Sequence, residues 1–231
     1  MPRGASEVRE AGLAFIDMRD RIARQVEQRT AMLAGVSHDL RTILTRFRLE
    51  LAVLGDGPKV QPLKEDVEEM QRMLEAYMAF VRGDGGEMAE ETDVGELAAA
   101  AARVAERRPG QIALAVPANL RVRLKPNAFR RLLANLLGNA ARHGKKVELR
   151  AAVADHSLTV TVDDDGPGIP PELRADAFRP FVRLDNARNL DETGTGLGLA
   201  IALDIARAHG GDLSLEDSPL GGLRALVRIP A

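Results

Sequence analysis

The sequence predicts an all-α antiparallel helical hairpin that dimerises into a four-helix bundle, followed by a separate mixed α/β domain. Three observations lead there. Apolar residues recur at helical spacing from about residue 6 to residue 81, with one interruption at Gly55-Asp56-Gly57-Pro58. A Gly- and acid-rich stretch, Gly83-Asp84-Gly85-Gly86-Glu87, comes next. Beyond it, short alternating segments interleave with amphipathic ones, which is the pattern of a mixed fold.

Leu33, Val36, Leu40, Ile43, Phe47, Leu51 and Leu54 step by three or four residues. Val60, Leu63, Val67, Met70, Leu74, Tyr77 and Val81 alternate steps of three and four, the spacing of a coiled-coil seam. Two long helices joined by so short a turn fold back on each other. A pair of helices buries little of its apolar surface, so a dimeric bundle completes it. Residues 7–29 are apolar only at intervals among many charges and read as a helix feeding the hairpin.

The second half opens with an Ala-rich helix over Val94–Glu106. Short strands are expected over Gln111–Val116 and Leu120–Leu124. Pro126 near its start and an amphipathic pattern give a helix to Arg142. Val147–Val153 and Ser157–Asp163 alternate as strands around an Asp155-His156 turn. Leu197–His209 is a helix stopped by Gly210-Gly211. Leu213–Leu215 and Leu223–Ile229 form a closing hairpin.

Composition narrows the function. The 231 residues are 45% hydrophobic and 29% charged, which is globular. Aromatics are 3%, with no Trp, which disfavours a base-stacking surface. The net charge of -2 creates no global field for nucleic acid. Without cysteine there is no disulfide, thiol catalysis or thiolate metal site, and a reducing compartment fits. No apolar run approaches the ~18 residues a membrane span needs, and Met1-Pro2-Arg3-Gly4 begins no signal peptide. The chain is therefore expected to be cytoplasmic and to make no membrane contact.

Four constellations carry chemistry. His38 lies two residues before the seam residue Leu40, about 200° round the helix, so it faces outward. An exposed imidazole is a nucleophile with a pKa near neutrality. Asp39 can orient it or accept its proton. Thr42 shares its face one turn later and can position a water. Asp163-Asp164-Asp165-Gly166-Pro167-Gly168 follows a strand and lets a ligand approach the backbone closely. Gly194-Thr195-Gly196-Leu197-Gly198 opens a helix whose free N–H groups can hold phosphate, although the loop is neither a Walker loop nor a dinucleotide fingerprint. Asn135 and Asn139, one turn apart, offer two amide oxygens that suit Mg²⁺ bound together with phosphate, and Arg142 lies within a turn. Singly, each has a bland counterpart: a solvated histidine, an acidic turn, a glycine loop, two solvated asparagines.

Taken in this order and spacing, the four resemble a sensor histidine kinase of bacterial two-component systems. His38 to Thr42 is similar to the H-box of the dimerisation and phosphotransfer domain. Asn135–His143 resembles the N-box, Asp164–Gly168 the G1 box, Phe178–Phe181 the F-box, and Gly194–Ala200 the G2 box. The second domain thus resembles the GHKL (Bergerat) ATP-binding sandwich. Ala34–Thr42 with Leu44-Thr45-Arg46 looks most like the osmolarity-sensor branch.

The resemblance implies a domain plan: 1–28, the last helix of a HAMP-like relay; 29–83, the phosphotransfer hairpin; 84–92, a linker that lets the ATP domain reach the bundle; 93–231, the catalytic domain. It implies His38 as phosphoacceptor, Asp39 as its acid–base partner and Thr42 as the residue that orients water in a phosphatase step. It also implies ATP and Mg²⁺ as cofactors. Asp164 would accept from the adenine amino group, with Gly166 and Gly168 beside the base. Asn139 and Asn135 would hold Mg²⁺, and Arg142 and His143 would line the phosphates. Gly194, Thr195, Gly196, Leu197 and Gly198 would wrap them, and residues 182–193 would form the ATP lid. The partners implied are a second copy and the receiver domain of a response regulator, with the chain as the cytoplasmic portion of an inner-membrane kinase.

One residue departs from the pattern. The family usually has proline five residues after the phosphoacceptor, and here it is Ile43. Isoleucine restores the N–H that proline lacks, so a straighter helix is expected beside His38. Two other classes remain open from residues alone: a GHKL ATPase working as a conformational clamp, and a dimeric scaffold that binds no nucleotide.

Overall fold

The computed structural model describes residues 4–55, 57–81, 87–107, 110–182 and 196–231. The chain divides into two compact units, residues 1–82 and 83–231.

The first unit is two helices, α1 (Gly4–Val53) and α2 (Gln61–Val81). Gly55, at φ +78°, ends α1 in the left-handed conformation that glycine adopts without penalty. The N–H groups of Val60 and Gln61 both donate to Gly57 O, at 2.9 and 3.0 Å, and start α2. Leu44 and Leu51 pack on Val67, with Val60 and Leu74 at the margins. Ser37, one heptad before Leu44, is buried as well. The intrachain seam thus runs through Leu44 and Leu51 on one side and Val60, Val67 and Leu74 on the other.

This corrects the expected seam on α1. Val36, Leu40, Ile43, Phe47 and Leu54 are 38–68% exposed in the single chain. The helix carries two neighbouring apolar stripes, and α2 covers only one of them. Apolar spacing alone does not tell which stripe faces the intrachain partner.

The second unit is a two-layer sandwich. Its elements are β1 (Glu90–Asp93), α3 (Val94–Ala105), β2 (Ile112–Ala115), β3 (Arg121–Leu124), α4 (Pro126–His143), β4 (Val147–Ala154) and β5 (Ser157–Asp164), then α5 (Gly198–Ala208), β6 (Asp212–Asp217) and β7 (Leu223–Pro230). Two 3-10 turns, Pro171–Leu173 and Asp176–Phe178, precede α5. Five strands form one sheet in the order β2-β4-β5-β7-β6, antiparallel except for the β2–β4 pair.

Strand alternation sends Val147, Leu149 and Ala151, Leu158, Val160 and Val162, and Ala225, Val227 and Ile229 into the core. The helical layer meets them with Phe129, Leu132, Leu133, Leu136 and Leu137 of α4 and Ile201, Ala202 and Ile205 of α5. Asp155 and His156, both at positive φ, make the two-residue turn between β4 and β5.

Two features escape the sequence pattern. Residues 90–93, most of them inside the expected linker, form β1 and pair antiparallel with β3, Glu90 opposite Leu124. Glu-Glu-Thr-Asp has no apolar alternation, so nothing local marks it as a strand; the pairing comes from β3. Asp93 then caps α3, its Oδ1 accepting from Gly95 and Glu96 N–H at 2.8 and 3.1 Å. The 3-10 turns are too short to carry a period.

Candidate functional site

The acidic run at the end of β5 separates into three environments. Asp163 is itself buried, on the opposite face of the sheet from Asp164, where the Arg224 guanidinium holds it with two hydrogen bonds of 2.8 and 3.1 Å. That pairing raises the Arg224 pKa. Asp164 points inward and is 3% exposed. Asp165, beyond the strand, accepts from the N–H groups of Lys145 and Lys146 at 2.6 and 2.9 Å. The Lys146 N–H leads in lowering its pKa, against a smaller opposing effect of burial.

Asp164 is the chemically interesting one. Burial pushes its carboxyl above the ordinary aspartate range, against the N–H groups of Leu223 and Gly166 and the charge of His143. Its Oδ1 accepts from Gly166 N–H at 2.8 Å and from Leu223 N–H at 3.1 Å. Gly166 is required there by space: a Cβ would lie 2.9 Å from both Asp164 Oδ1 and His143 O. Gly168 has φ +71° and sits against Gly222 O.

Asp164 shares a cleft with Asn139. Leu136 and Ala140 of α4, Val162 of β5, Leu199 of α5 and Leu223 and Ala225 of β7 line it too. The result is one carboxylate and one amide in an otherwise aliphatic lining, the composition of a site for a mostly apolar group with a few polar edges. One turn before Asn139, Asn135 lies beside Gly198, where a Cβ would be 3.8 Å from its Oδ1. Among the described residues, Asn135 Nδ2 is buried without a hydrogen-bond partner. A buried amide left like this points to a missing ligand or water.

Gly198 opens α5, and no side chain caps that helix start. Its first N–H groups are therefore oriented to receive an anion. Gly196, at φ +65°, packs on Phe181, which donates its N–H to Gly196 O at 3.0 Å. A Cβ on Gly196 would stand 3.0 Å from the Phe181 backbone. Leu197 is fully buried. Gly194 and Thr195, and all of the expected 182–193 lid but Val182, lie outside the described residues. Arg142 and His143 occupy the last turn of α4, both half-buried.

His38, Asp39 and Thr42 lie together on α1, in the first unit. The His38 side chain is 78% exposed, and its Nδ1 is 3.4 Å from Asp39 Oδ1. The Thr42 hydroxyl donates to His38 O at 3.1 Å. α1 runs through His38 and Ile43 without interruption.

Three residues of structural consequence at the site were not singled out by sequence. Gln111 is buried and donates through Nε2 to Ala141 O and Gly144 O, both at 2.8 Å, tying off the end of α4 next to Arg142 and His143. Glu87 caps the start of α4 through Asn127 and Ala128. Gly222 packs on Asp164. The one sequence signal for such a cap was negative: Lys125-Pro126 starts α4 with no capping side chain of its own.

Comparison with known proteins converges on one family. Residues 124–231 match the family described as histidine kinase-, DNA gyrase B-, and HSP90-like ATPase. Sensor histidine kinase GtrS of Pseudomonas aeruginosa is 35% identical over 99% of this chain and 47% of its own length. Sensor histidine kinase CpxA of Escherichia coli K12 is 33% identical over 98% of this chain and 52% of its own. The chain belongs to the bacterial sensor histidine kinases. It spans about half the length of the curated relatives it matches.

The kinase fold is seen in solved structures. Full-length ShkA, crystallised in complex with AMPPNP, superposes with a TM-score of 0.65 at 26% identity, over 86% of this chain and 45% of that one. The mycobacterial sensor histidine kinase MprB superposes at 0.52 and 27% identity, over 62% of this chain and 97% of that one. The α/β unit is accordingly a GHKL-type domain.

Proposed function

We propose that the chain binds ATP in the cleft of its α/β unit and transfers the γ-phosphoryl group to His38, from which it passes to an aspartate of a response-regulator receiver domain. The observation that carries this most is the exposed His38 beside Asp39 in the same chain as a GHKL-type domain whose cleft pairs Asp164 with Asn139.

Asp164 would accept from the adenine amino group, the base lying between Leu136, Val162 and Leu199. Gly166 and Gly168 leave room for it. The N–H groups at the start of α5, with Gly194 to Gly198, would hold the phosphates, and Arg142 and His143 would add positive charge there. Asn135 and Asn139 fit Mg²⁺ through their amide oxygens, which are hard neutral donors, while the unpartnered buried Asn135 Nδ2 can donate to a phosphate oxygen. When bound, Mg²⁺ neutralises charge on the transferring phosphates.

On the hairpin, an Asp39 carboxylate that accepts from His38 Nδ1–H leaves the Nε2 lone pair outward as the nucleophile. Nε2 forms the bond to phosphorus as the bond to the β–γ bridging oxygen breaks and ADP leaves. Asp39 stabilises the positive ring that results. Thr42, its proton engaged with His38 O, can accept a hydrogen bond from water and orient it on a phosphorylated regulator. A phosphatase activity is therefore part of the proposal.

The exposed stripe Val36, Leu40, Ile43, Phe47 and Leu54 supports a homodimeric four-helix bundle. Residues 1–28 are read as the end of a HAMP-like relay, and the chain as the cytoplasmic portion of an inner-membrane kinase. Among the described residues, no helix is long and apolar enough to cross a membrane. Ile43, in place of the family's proline, is proposed to bias the balance of kinase and phosphatase activities.

Incubation with γ-labelled ATP, Mg²⁺ and a panel of response regulators tests the reading. Acid-labile label is expected on the chain, then on one regulator, and none on His38→Gln. Label that persists on His38→Gln means that His38 is not the acceptor and brings back the clamp ATPase.

A further inference from the structure

The Asp164 carboxylate is held from behind by the turn between β6 and β7. That turn closes on itself through Ser218 N–H to Gly222 O at 2.9 Å and Gly221 N–H to Ser218 O at 3.0 Å. It then docks on the end of β5 through two successive N–H groups. Gly222 N–H donates to the Asp164 main-chain O at 3.1 Å. Leu223 N–H donates to Asp164 Oδ1, also at 3.1 Å. Gly166 N–H reaches the same Oδ1 from the other side. One carboxylate oxygen is thereby pinned between two backbone donors, while Oδ2 engages no donor among the described residues.

This docking has room for glycine alone. A Cβ on Gly222 would collide with Asp164 Oδ1 and Gly166 N, and would stand 2.7 Å from Asp164 O. The φ of Gly222 is not positive, so space, and not backbone conformation, demands the glycine. Gly221 is the converse case: φ +103°, with nothing within 4 Å of an added Cβ. Relief of a clash at 222 must either lift the turn, which withdraws Leu223 N–H, or rotate the carboxylate. Both change where the free oxygen points. Leu223 and Ala225, just beyond the turn, line the same cleft.

We infer that Gly222 is a positioning residue that sets the orientation of the Asp164 carboxylate and so governs discrimination between a 6-aminopurine nucleotide and one lacking the amino group. This rests on the assignment of Asp164 to the adenine amino group. Gly222 touches no nucleotide; it acts through Asp164.

The test compares binding of ATP and of purine riboside 5′-triphosphate, which has the same sugar and phosphates but no 6-amino group, by calorimetry on the full chain. The unaltered chain is expected to bind ATP at least tenfold tighter. Gly222→Ala is expected to lose that preference, as Asp164→Asn does, with affinity for the desamino analogue unchanged within twofold. Gly221→Ala, which strains the turn without approaching Asp164, is expected to keep it. A Gly222→Ala chain that still prefers ATP tenfold overturns the inference and leaves the Asp164 reading standing. So does a Gly221→Ala chain that loses the preference, since turn strain would then be the cause. If the unaltered chain shows no preference, the Asp164 reading itself fails and takes the inference with it. Should Gly222→Ala not fold, the Leu223 amide resonance of the unaltered chain decides. It is expected to shift more with ATP than with the analogue, and equal shifts overturn the inference.

Discussion

The Glu87 carboxylate and the Ala128 N–H stand 41 residues apart in sequence and meet at 3.0 Å. The other carboxylate oxygen accepts from Asn127 N–H at 2.8 Å and from the Asn127 amide at 2.9 Å. A residue at the beginning of the α/β unit thus supplies the N-terminal cap that α4 lacks, and α4 is the helix that carries Asn135, Asn139, Arg142 and His143. A carboxylate in the first turn also faces the positive end of the helix dipole.

Glu87→Ala should lower the stability of the α/β unit by about 1 kcal/mol, the usual worth of a cap. Partial burial alone would raise the Glu87 pKa, but the Asn127 and Ala128 N–H groups, the Asn127 amide and Lys125 together hold it below the ordinary 4.5. A depressed carboxyl contributes stability above the unfolded value and loses it as pH falls through the folded one. The difference between Glu87→Ala and the unaltered chain should therefore shrink in acid. Thermal unfolding at neutral pH and at pH 3 measures both; an equal gap at the two pH values rejects a charged cap.

The two apolar stripes of α1 should separate by mutation. Leu44 is buried against α2, so Leu44→Ala should cost the hairpin about 2 kcal/mol, the low end for a core leucine that keeps slight exposure. Phe47 is 47% exposed in the single chain. Phe47→Asp should leave the hairpin helical and turn the proposed dimer into a monomer, read by sedimentation equilibrium and circular dichroism. A Phe47→Asp chain that stays dimeric would place the dimer contact elsewhere.

ATP affinity should fall on acidification at a higher pH than an ordinary aspartate dictates. In the proposed site Asp164 accepts the adenine amino hydrogen as a carboxylate, and burial raises its pKa above 3.8. Protonation therefore removes the acceptor early. The ionised form also opposes folding, so stability from this group declines as pH rises through the elevated pKa. Nucleotide titrations across pH 4 to 7 with the desamino analogue as reference should isolate the effect. Parallel pH profiles for the two ligands would show that another group titrates.

Ile43→Pro should change the ratio of autokinase to phosphatase activity. α1 is unbroken at this point. Proline would leave the Asp39 carbonyl without its partner and bend the helix one turn beyond His38. Both rates, measured on the same preparation, give the ratio, and an unchanged ratio would sink the idea. In the interior of a helix the substitution should also cost about 3 kcal/mol, visible as a lower melting temperature of the hairpin.

Much of the fold was legible because its information is local. Helical spacing, the Gly55 and Gly210-Gly211 stops and the alternation around Asp155-His156 each act over a few residues, and the corresponding elements fall where expected. The motif residues Asn139 and Asp164 sit on different elements, were singled out by their sequence neighbours, and line one cleft. The exposed position of His38 followed from its angle to Leu40, even though Leu40 itself turned out exposed. What was missed depends on a partner distant in sequence. β1 exists because β3 pairs with it, Glu87 matters because α4 starts uncapped beside it, and Gln111 matters because α4 ends beside it.

Sequence by itself determined the order of the helices and of every strand but β1, the outward histidine and the polar groups around the cleft, because backbone period and side-chain chemistry are properties of short segments. The motif resemblance singled out Asp164 among three adjacent aspartates, and tertiary structure supplies the reason that it lines the cleft. Alternation along β5 and the Arg224 clamp send Asp163 to the opposite face, the 145–146 turn captures Asp165, and the Gly222–Leu223 turn fixes Asp164. It also decided which apolar stripe of α1 is covered within one chain. Both choices depend on long-range packing, which couples residues through space and leaves no period in the sequence to read.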